Sequence, residues 1–210
     1  LHQQLNVKCL LVGYDHRFGH NREEGFEDYC RYASQCGMEV LQVPSNKQYA
    51  MTNTLSVSSS SIRRCLSEGN IATANAMLGY RYRLTGKVVS GAKIGRTLGF
   101  PTANIVLNDK TKMLPKNGSY AVTVEETKRG LLYIGSRPTI EDEAGQNSNN
   151  GTSIEVHIID FDGDLYGQTL TVEFVAFIRD EMKFDSPEAL KQQIAADMVE
   201  TLHATSPRTP

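Results

Sequence analysis

The first 78 residues alternate short apolar runs with stretches in which apolar residues recur every three or four positions. Apolar runs of this length predict strands, and the three-to-four spacing predicts helices. Such an alternation is typical of an α/β domain, in which strands and helices form adjacent layers. The predicted strands are 7–12 and 38–43, and the predicted helices are 60–68, 71–78 and one between an N-cap at Asn21 and Gly37.

From residue 80 onward the pattern changes to short β-branched segments separated by turns. Several short strands in close succession favour a closed antiparallel barrel. The polar segment 141–153 predicts an exposed hairpin loop. A last helix begins at Ser186-Pro187, with a buried stripe of Leu190, Ile194, Met198 and Leu202. The predicted strands are 84–89, 120–125, 131–134, 154–161 and 169–178.

The change of pattern near Gly79 marks the expected domain boundary. The predicted fold class is therefore α/β plus all-β, with an α/β domain at 1–78. A β-barrel with a C-terminal helix is expected at 79–204, and a disordered tail at 205–210.

Composition narrows the classes of function. With 210 residues and 40% hydrophobic content, the chain can bury one substantial core or two modest ones, and its net charge of −2 gives no electrostatic case for a nucleic-acid partner. No apolar run is long enough to span a bilayer and no secretory segment is recognisable, so we expect a cytoplasmic protein without a membrane partner. Four cysteines without metal-binding spacing are expected to be reduced core thiols, at Cys9, Cys30, Cys36 and Cys65.

Candidate chemistry is concentrated in residues 91–104. Glycines there let main-chain N–H groups approach an anion, basic side chains add positive charge, and short polar side chains offer oxygen ligands to a hard cation. The alternative is that a run of glycine and proline is only a turn between two strands. The glycines are Gly91 and Gly95, the basic residues are Lys93 and Arg96, and the oxygen donors are Thr102 and Asn104.

The run Gly99-Phe100-Pro101-Thr102-Ala103-Asn104 resembles the Pro-Thr-Ala-Asn signature of riboflavin kinases, as they occur in bifunctional bacterial FAD synthetases. The resemblance extends over residues 11–184. It implies a partial Rossmann-like nucleotidyltransferase domain followed by a small Greek-key β-barrel. It also implies an enzyme that uses ATP and Mg²⁺ to phosphorylate the 5′-hydroxyl of riboflavin, with FMN as product.

The resemblance also assigns roles on the phosphate side of the site. Thr102 is expected to contribute its oxygen to Mg²⁺, and Asn104 to help order the metal and the reacting groups. The glycine-rich segment is expected to lie against the ATP phosphates, where backbone amides would neutralise developing charge. Its members are Gly91, Lys93, Gly95 and Arg96.

On the acceptor side, Glu155 alternates with apolar neighbours and shares one strand face with His157. A solvated outer face is the alternative interpretation, but Glu155 matches the family's general base for the ribityl hydroxyl. His157 is expected to be a structural neighbour. Arg179 matches an arginine that closes over the flavin side, the alternative being a surface ion pair with Asp180 or Glu181. The aromatic residues considered for ring binding are Phe100, Tyr120 and Phe184.

In the first half, residues 57–63 resemble the phosphate-binding helix start of the family's adenylyltransferases. The expected remnant of that site is Ser59, Ser60 and Arg63, with Ser60 in place of the usual threonine. The family's His-x-Gly-His motif is not found before Leu11, and the chain begins with Leu1. We therefore expect a fragment that does not adenylylate FMN and whose shortened α/β half has low stability.

A non-catalytic flavin or nucleotide binder is the alternative function. A bifunctional full-length protein is a second enzymatic possibility. The joint presence of Thr102, Asn104 and Glu155 favours an enzyme, because a binder needs no base.

Overall fold

A computed structural model of the chain describes residues 2–14, 16–17, 24–44, 57–91, 94–136, 149 and 151–206. Its contacts divide the chain into two units, Leu1–Thr54 and Leu55–Pro210. The sequence-domain boundary expected near Gly79 stays a prediction. In the structure, the two helices that precede Gly79 belong to the second unit.

The first unit contains a small parallel sheet, which agrees with the predicted partial α/β domain. Its elements are α1 (His2–Leu5), β1 (Cys9–Gly13), α2 (Phe26–Gln35) and β2 (Glu39–Val43). Strands β1 and β2 pair in parallel, with Leu11 opposite Leu41. The helix begins after Gly25, and the predicted cap at Asn21 lies outside the described residues.

The expectation of four core thiols is wrong in detail. All four cysteines are free, but only Cys65 is buried. Cys9 and Cys36 are exposed and Cys30 is half-buried. The buried residues of α2 are instead Tyr29 and Ala33.

The second unit opens with α3 (Ser59–Glu68) and α4 (Ile71–Leu78). The Asn70 carboxamide caps α4 by accepting from the backbone N–H of Thr73. Each helix ends at a glycine with positive φ, 79° at Gly69 and 77° at Gly79, a conformation that suits glycine because it has no Cβ. Apolar residues of both helices join the core of the barrel.

Six antiparallel strands form a closed barrel in the order β3-β4-β7-β6-β5-β8, which confirms the predicted fold class. Its interior holds side chains with no solvent exposure, including Tyr120, Leu132 and Phe174. Two elements of this unit were not predicted, strand β4 and the short helix α5. The elements are β3 (Arg83–Val89), α5 (Ile94–Thr97), β4 (Ala103–Leu107), β5 (Gly118–Val124), β6 (Lys128–Ser136), β7 (Thr152–Ile158) and β8 (Thr169–Arg179).

The register of the barrel places five polar side chains side by side on its outer surface. Asn104 pairs with Glu155, Glu155 with Tyr133, Tyr133 with Ser119, and Ser119 with Arg179. Directly opposite residues of an antiparallel pair project to the same face, and most of the flanking positions on these strands are buried in the barrel. We call this line from Asn104 to Arg179 the outer row.

The chain continues into α6 (Pro187–Thr205), which is capped by Ser186 and packs against β5, β6 and β8. The helix includes Thr205, so the expected tail is helical at that position, and residues 207–210 lie outside the described residues. The predicted apolar stripe is only half-buried. The buried side chains of α6 are instead Asp197 and Thr201.

Candidate active site

The Glu155 carboxylate is fixed by two hydroxyl groups. Thr102, just before β4, donates from Oγ1 to Glu155 Oε2 at 3.0 Å. Ser153, two residues earlier on β7, donates from Oγ to Oε1 at 3.0 Å. Each carboxylate oxygen therefore accepts a hydrogen bond, one from a residue on β7 and one from a residue just before β4. The two bonds restrict the rotation of the carboxylate.

The turn that carries Thr102 depends on a close backbone approach at Gly95. The Phe100 N–H donates to the Gly95 carbonyl at 2.8 Å. A Cβ on residue 95 would lie 3.2 Å from Thr102 Oγ1 and would overlap the Phe100 carbonyl. Glycine is therefore required for Thr102 to reach its observed position.

An apolar cavity of about 310 Å³ lies on the outer surface of the barrel beside Glu155. Its wall contains aromatic and aliphatic side chains together with members of the outer row. His157 donates from Nδ1 to the Pro101 carbonyl at 2.8 Å, and its ring meets Phe100 edge-on, as a structural neighbour would. The lining residues used below are Phe100, Thr102, Glu155, Arg179, Phe184 and Asp197.

A second cavity, of about 360 Å³, has a more polar wall. It includes Arg96 and two acidic residues, Asp162 and Asp164, from the turn after β7. Thr102 lines both cavities, so the Thr102–Glu155 contact stands where they adjoin. Sequence analysis missed this acidic turn, although the pattern Phe161-Asp162-Gly163-Asp164 was available as a signal.

Arg179 does not form the surface ion pair considered as its alternative. Its Nε donates to both carboxylate oxygens of Asp197, at 3.0 and 2.9 Å, and its Nη2 lies 2.8 Å from Asp197 Oδ2. Only the backbone carbonyl of Asp180 takes part, accepting from Nη1 at 3.0 Å. Asp197 was missed because the apolar spacing of α6 indicated a different buried face.

Glu181 holds the segment after β8 against the barrel. It accepts from the Tyr133 hydroxyl at 2.7 Å and from the Ser136 N–H at 3.3 Å. The hydrogen bond from Tyr133 is the main cause of a lowered pKa at Glu181. Burial, and then the bond to Glu181, raise the pKa of Tyr133, so its phenol remains a donor at neutral pH.

The side chains of two other predicted site residues, Asn104 and Tyr120, make their contacts elsewhere than with Thr102 and Glu155. The Asn104 carboxamide packs so closely over Gly91 that a Cβ there would overlap it, and it lines a separate small recess. Lys93 lies outside the described residues. Tyr120 is not a ring-binding residue, since it is fully buried in the barrel against Phe174.

The expected adenylyltransferase remnant lies at the start of α3. Ser59, Ser60 and Arg63 are exposed there. The cap itself is Ser58, whose hydroxyl accepts from the Ser61 N–H at 3.1 Å.

The donor set at the contact fits a magnesium ion that receives most of its ligands from water and phosphate. Mg²⁺ takes oxygen ligands and is commonly held by one or two protein groups plus substrate phosphates. Thr102 Oγ1 donates its hydrogen bond to Glu155, so its lone pairs remain available to another partner. Within the described part of the chain, no group of three or more His, Cys, Asp or Glu side chains forms a metal cluster.

Comparison with known families assigns both parts of the chain. A family model described as riboflavin kinase matches residues 78–205, and one described as FAD synthetase matches residues 1–61. A bifunctional riboflavin kinase/FMN adenylyltransferase from Listeria monocytogenes is 38% identical over 200 residues, or 94% of this chain and 60% of that protein. The Escherichia coli K12 protein of the same name is 38% identical over 199 residues, or 93% and 59%. The chain thus spans about 60% of the length of these relatives.

A solved structure supports the fold. A crystal structure from Streptococcus pneumoniae, described as a macrolide-efflux protein, superposes with a TM-score of 0.75 at 34% identity and covers 93% of this chain and 60% of its own. In this chain, none of the described helices combines the length and the apolar character needed to cross a bilayer. The cytoplasmic location expected from the sequence stays a prediction.

Proposed function

The chain belongs to the riboflavin kinase family, and from that premise we propose that its barrel transfers the γ-phosphate of ATP to the 5′-hydroxyl of riboflavin, giving FMN. The observation that carries the proposal is the contact of Thr102 with Glu155 between two adjoining cavities. Phosphoryl transfer requires an attacking oxygen and a phosphate to meet in line, with little covalent chemistry from the protein. Two cavities that share one residue supply such a meeting point.

The apolar cavity is the proposed acceptor site. Phe100 and Phe184 offer flat surface to a ring, as aromatic pockets for heterocycles commonly do. Glu155 is the proposed general base. It takes the proton of the ribityl hydroxyl as the oxygen attacks the γ-phosphorus and ADP leaves.

The polar cavity is the proposed nucleotide site. Arg96 and Thr102 lie in its wall, and Gly95, the residue before Arg96, lines the adjoining apolar cavity. We assign Gly91, Lys93 and Gly95 to the same phosphate-binding segment. Thr102 would hold Mg²⁺, and the bound ion would neutralise negative charge on the phosphates.

Two further residues complete the proposal. Asn104, two residues after Thr102 and opposite Glu155 in the strand pairing, would order the groups around Thr102. Arg179 would bind the acceptor, since it lines the same cavity as Glu155.

The relatives' names also include an FMN adenylyltransferase activity, which we do not propose for this chain. Residues 1–61 match the FAD synthetase family, and Ser59, Ser60 and Arg63 remain the proposed part of an anion site there. A non-catalytic binder is the competing function. The hydrogen bonds from two hydroxyl groups that orient Glu155 favour catalysis over binding alone, because an oriented carboxylate serves proton transfer rather than ring binding.

The test is direct. The protein is incubated with riboflavin, ATP and Mg²⁺, and FMN is measured by chromatography, with Glu155→Gln as the matched variant. FMN formed by the natural sequence and lost in the variant supports the proposal. Riboflavin that binds without giving FMN identifies a binder instead.

A further inference from the structure

A buried ion pair occupies the wall of the apolar cavity. Asp197 is 2% exposed, and the Arg179 side chain is 16% exposed. The Asp197 carboxylate receives two bonds from Arg179 Nε, a contact from Nη2 and a further bond from Gln193 Nε2 at 2.8 Å. Its acceptor capacity is therefore largely used inside the protein.

Stability alone is a weak reason for such a pair. Removing two charges from water is costly, and well-packed apolar residues often replace a buried ion pair without loss of stability. Helix α6 already provides apolar side chains to this wall, Leu190 and Ile194, which line the same cavity. A function in the cavity explains why charges are kept there.

The guanidinium has hydrogen-bonding capacity beyond this pair. The bonds to Asp197 and to the Asp180 carbonyl use Nε–H and one N–H on each terminal nitrogen. Since arginine carries five N–H donors, one on each terminal nitrogen lies outside these bonds. Phe184 stacks near the same group, with its ring centroid 5.7 Å from the guanidinium carbon.

The outer row sets the distance between this group and the base. Glu155 and Arg179 are separated by three strand spacings, through Tyr133 and Ser119. At about 4.8 Å per spacing, the path along the curved barrel surface from Glu155 to Arg179 is roughly 14 Å. A ligand with a reactive hydroxyl at one end and a polar ring at the other fits this separation.

We propose that Asp197 is a positioning residue. It fixes Arg179 so that the guanidinium donates hydrogen bonds to the carbonyl-bearing ring of the acceptor, at the end of the row opposite Glu155. This inference rests on the proposed function for the identity of the acceptor. It adds that α6, through Asp197 and Gln193, determines acceptor affinity.

Riboflavin affinity of the whole chain tests the inference, measured by quenching of flavin fluorescence. Asp197→Asn keeps the shape but removes the charge, and we expect the riboflavin Kd to rise about tenfold. Arg179→Lys keeps the charge but loses the planar fork, and we expect a similar rise. The double variant should bind riboflavin at most about twofold more weakly than either single variant, because both substitutions remove the same interaction.

Two readouts separate positioning from general loosening of the fold. The Kd for a non-hydrolysable Mg-ATP analogue should stay within twofold in every variant. Glu200→Gln, on the exposed side of α6, should leave the riboflavin Kd unchanged. A rise for both ligands in Asp197→Asn would indicate loosening and would overturn the inference.

Other outcomes are equally decisive. A folded Asp197→Asn protein with an unchanged riboflavin Kd overturns the inference, and if that variant does not fold, an unchanged Kd in Arg179→Lys does so. If the natural sequence binds riboflavin but forms no FMN, the kinase proposal is refuted. The riboflavin Kd values of the variants then still decide the role of Asp197. A natural sequence that does not bind riboflavin refutes the role of Asp197.

Discussion

The Thr102 hydroxyl lies 3.0 Å from the Glu155 carboxylate, although 53 residues separate them in the sequence. The pairing of Ala103 with Val156 sets this distance, because it aligns the start of β4 with the middle of β7. Residues that precede and follow such a pair project from neighbouring strands to the same side. The threonine and the carboxylate, expected in one site, therefore meet.

The first prediction concerns the base. Glu155→Gln keeps the hydrogen-bonding shape but cannot accept the ribityl proton, so we expect kcat for FMN formation to fall by about 10²-fold or more. The measurement is FMN by chromatography at saturating riboflavin and Mg-ATP. The melting temperature should change little, since Glu155 is only half-buried. A variant with more than a tenth of the natural kcat would reject the assignment.

The second prediction separates the Thr102 hydroxyl from its methyl group. Thr102→Ser retains the hydroxyl and should keep kcat within about tenfold, whereas Thr102→Ala should lose roughly 10²-fold through lost metal and carboxylate contacts. Titration with Mg²⁺ provides the second readout. Thr102→Ala should require more Mg²⁺ for half-maximal rate than Thr102→Ser. Equal Mg²⁺ dependence in the two variants contradicts a role in holding the metal.

The third prediction concerns Ser153, which sequence analysis did not single out. Ser153→Ala removes the hydrogen bond to Glu155 Oε1 but leaves the bond from Thr102. We expect kcat to fall by about three- to tenfold, the effect of one net hydrogen bond of about 1 kcal/mol. KM for riboflavin should stay nearly constant because the ring site is untouched. A larger change in KM than in kcat would assign Ser153 to binding instead.

Local signals explain why much of the fold was predictable. The caps at Asn70 and Ser186 are satisfied by the backbone N–H groups of Thr73 and Ala189, and the helices begin where those residues indicated. These contacts span three residues, so the sequence contains both partners. Five of the six barrel strands were found for the same reason, since their β-branched alternation is local.

Elements defined by distant partners were missed. Strand β4 begins two residues after Pro101 and is only five residues long, so the local pattern resembles a turn. Its identity as a strand depends on pairing with β3 and β7. Asp197 is buried because Arg179 meets it from another strand, whereas hydropathy assigned the buried face to Leu190 and its neighbours. No local pattern reports a partner 18 residues away.

The fourth prediction tests the backbone approach at Gly95. Gly95→Ala places a methyl group against the Phe100 carbonyl, so the turn must shift and Thr102 must leave its position. We expect a loss of activity of at least tenfold with the barrel intact by circular dichroism. Gly99→Ala is the control, since residue 99 has open space and only its φ of 89° is unfavourable, at about 1–2 kcal/mol. Equal activity in the two variants would show that the close approach is dispensable.

The fifth prediction is a loss of stability at alkaline pH that depends on Tyr82. Its side chain is 6% exposed, and its hydroxyl donates to the Met113 carbonyl at 2.6 Å. Burial, followed by the charge of Tyr80, raises the pKa of Tyr82 from 10.0 to about 12. A raised pKa in the folded state stabilises the protein below pH 10. That contribution is lost as the pH rises from about 10 through 12, because the unfolded chain loses its proton first.

The full loss amounts to roughly 2–3 kcal/mol, since one pKa unit corresponds to about 1.4 kcal/mol. Urea unfolding at pH 8, 10, 11 and 12 measures it. Tyr82→Phe lacks the titrating proton and should show a shallower decline between pH 10 and 12, although it is less stable at pH 8 by about 1 kcal/mol through the lost hydrogen bond. Burial also raises the pKa of Tyr120, so part of the loss of stability at alkaline pH should remain in both proteins. Parallel pH curves for the two proteins would rule out Tyr82 as a source of the alkaline instability.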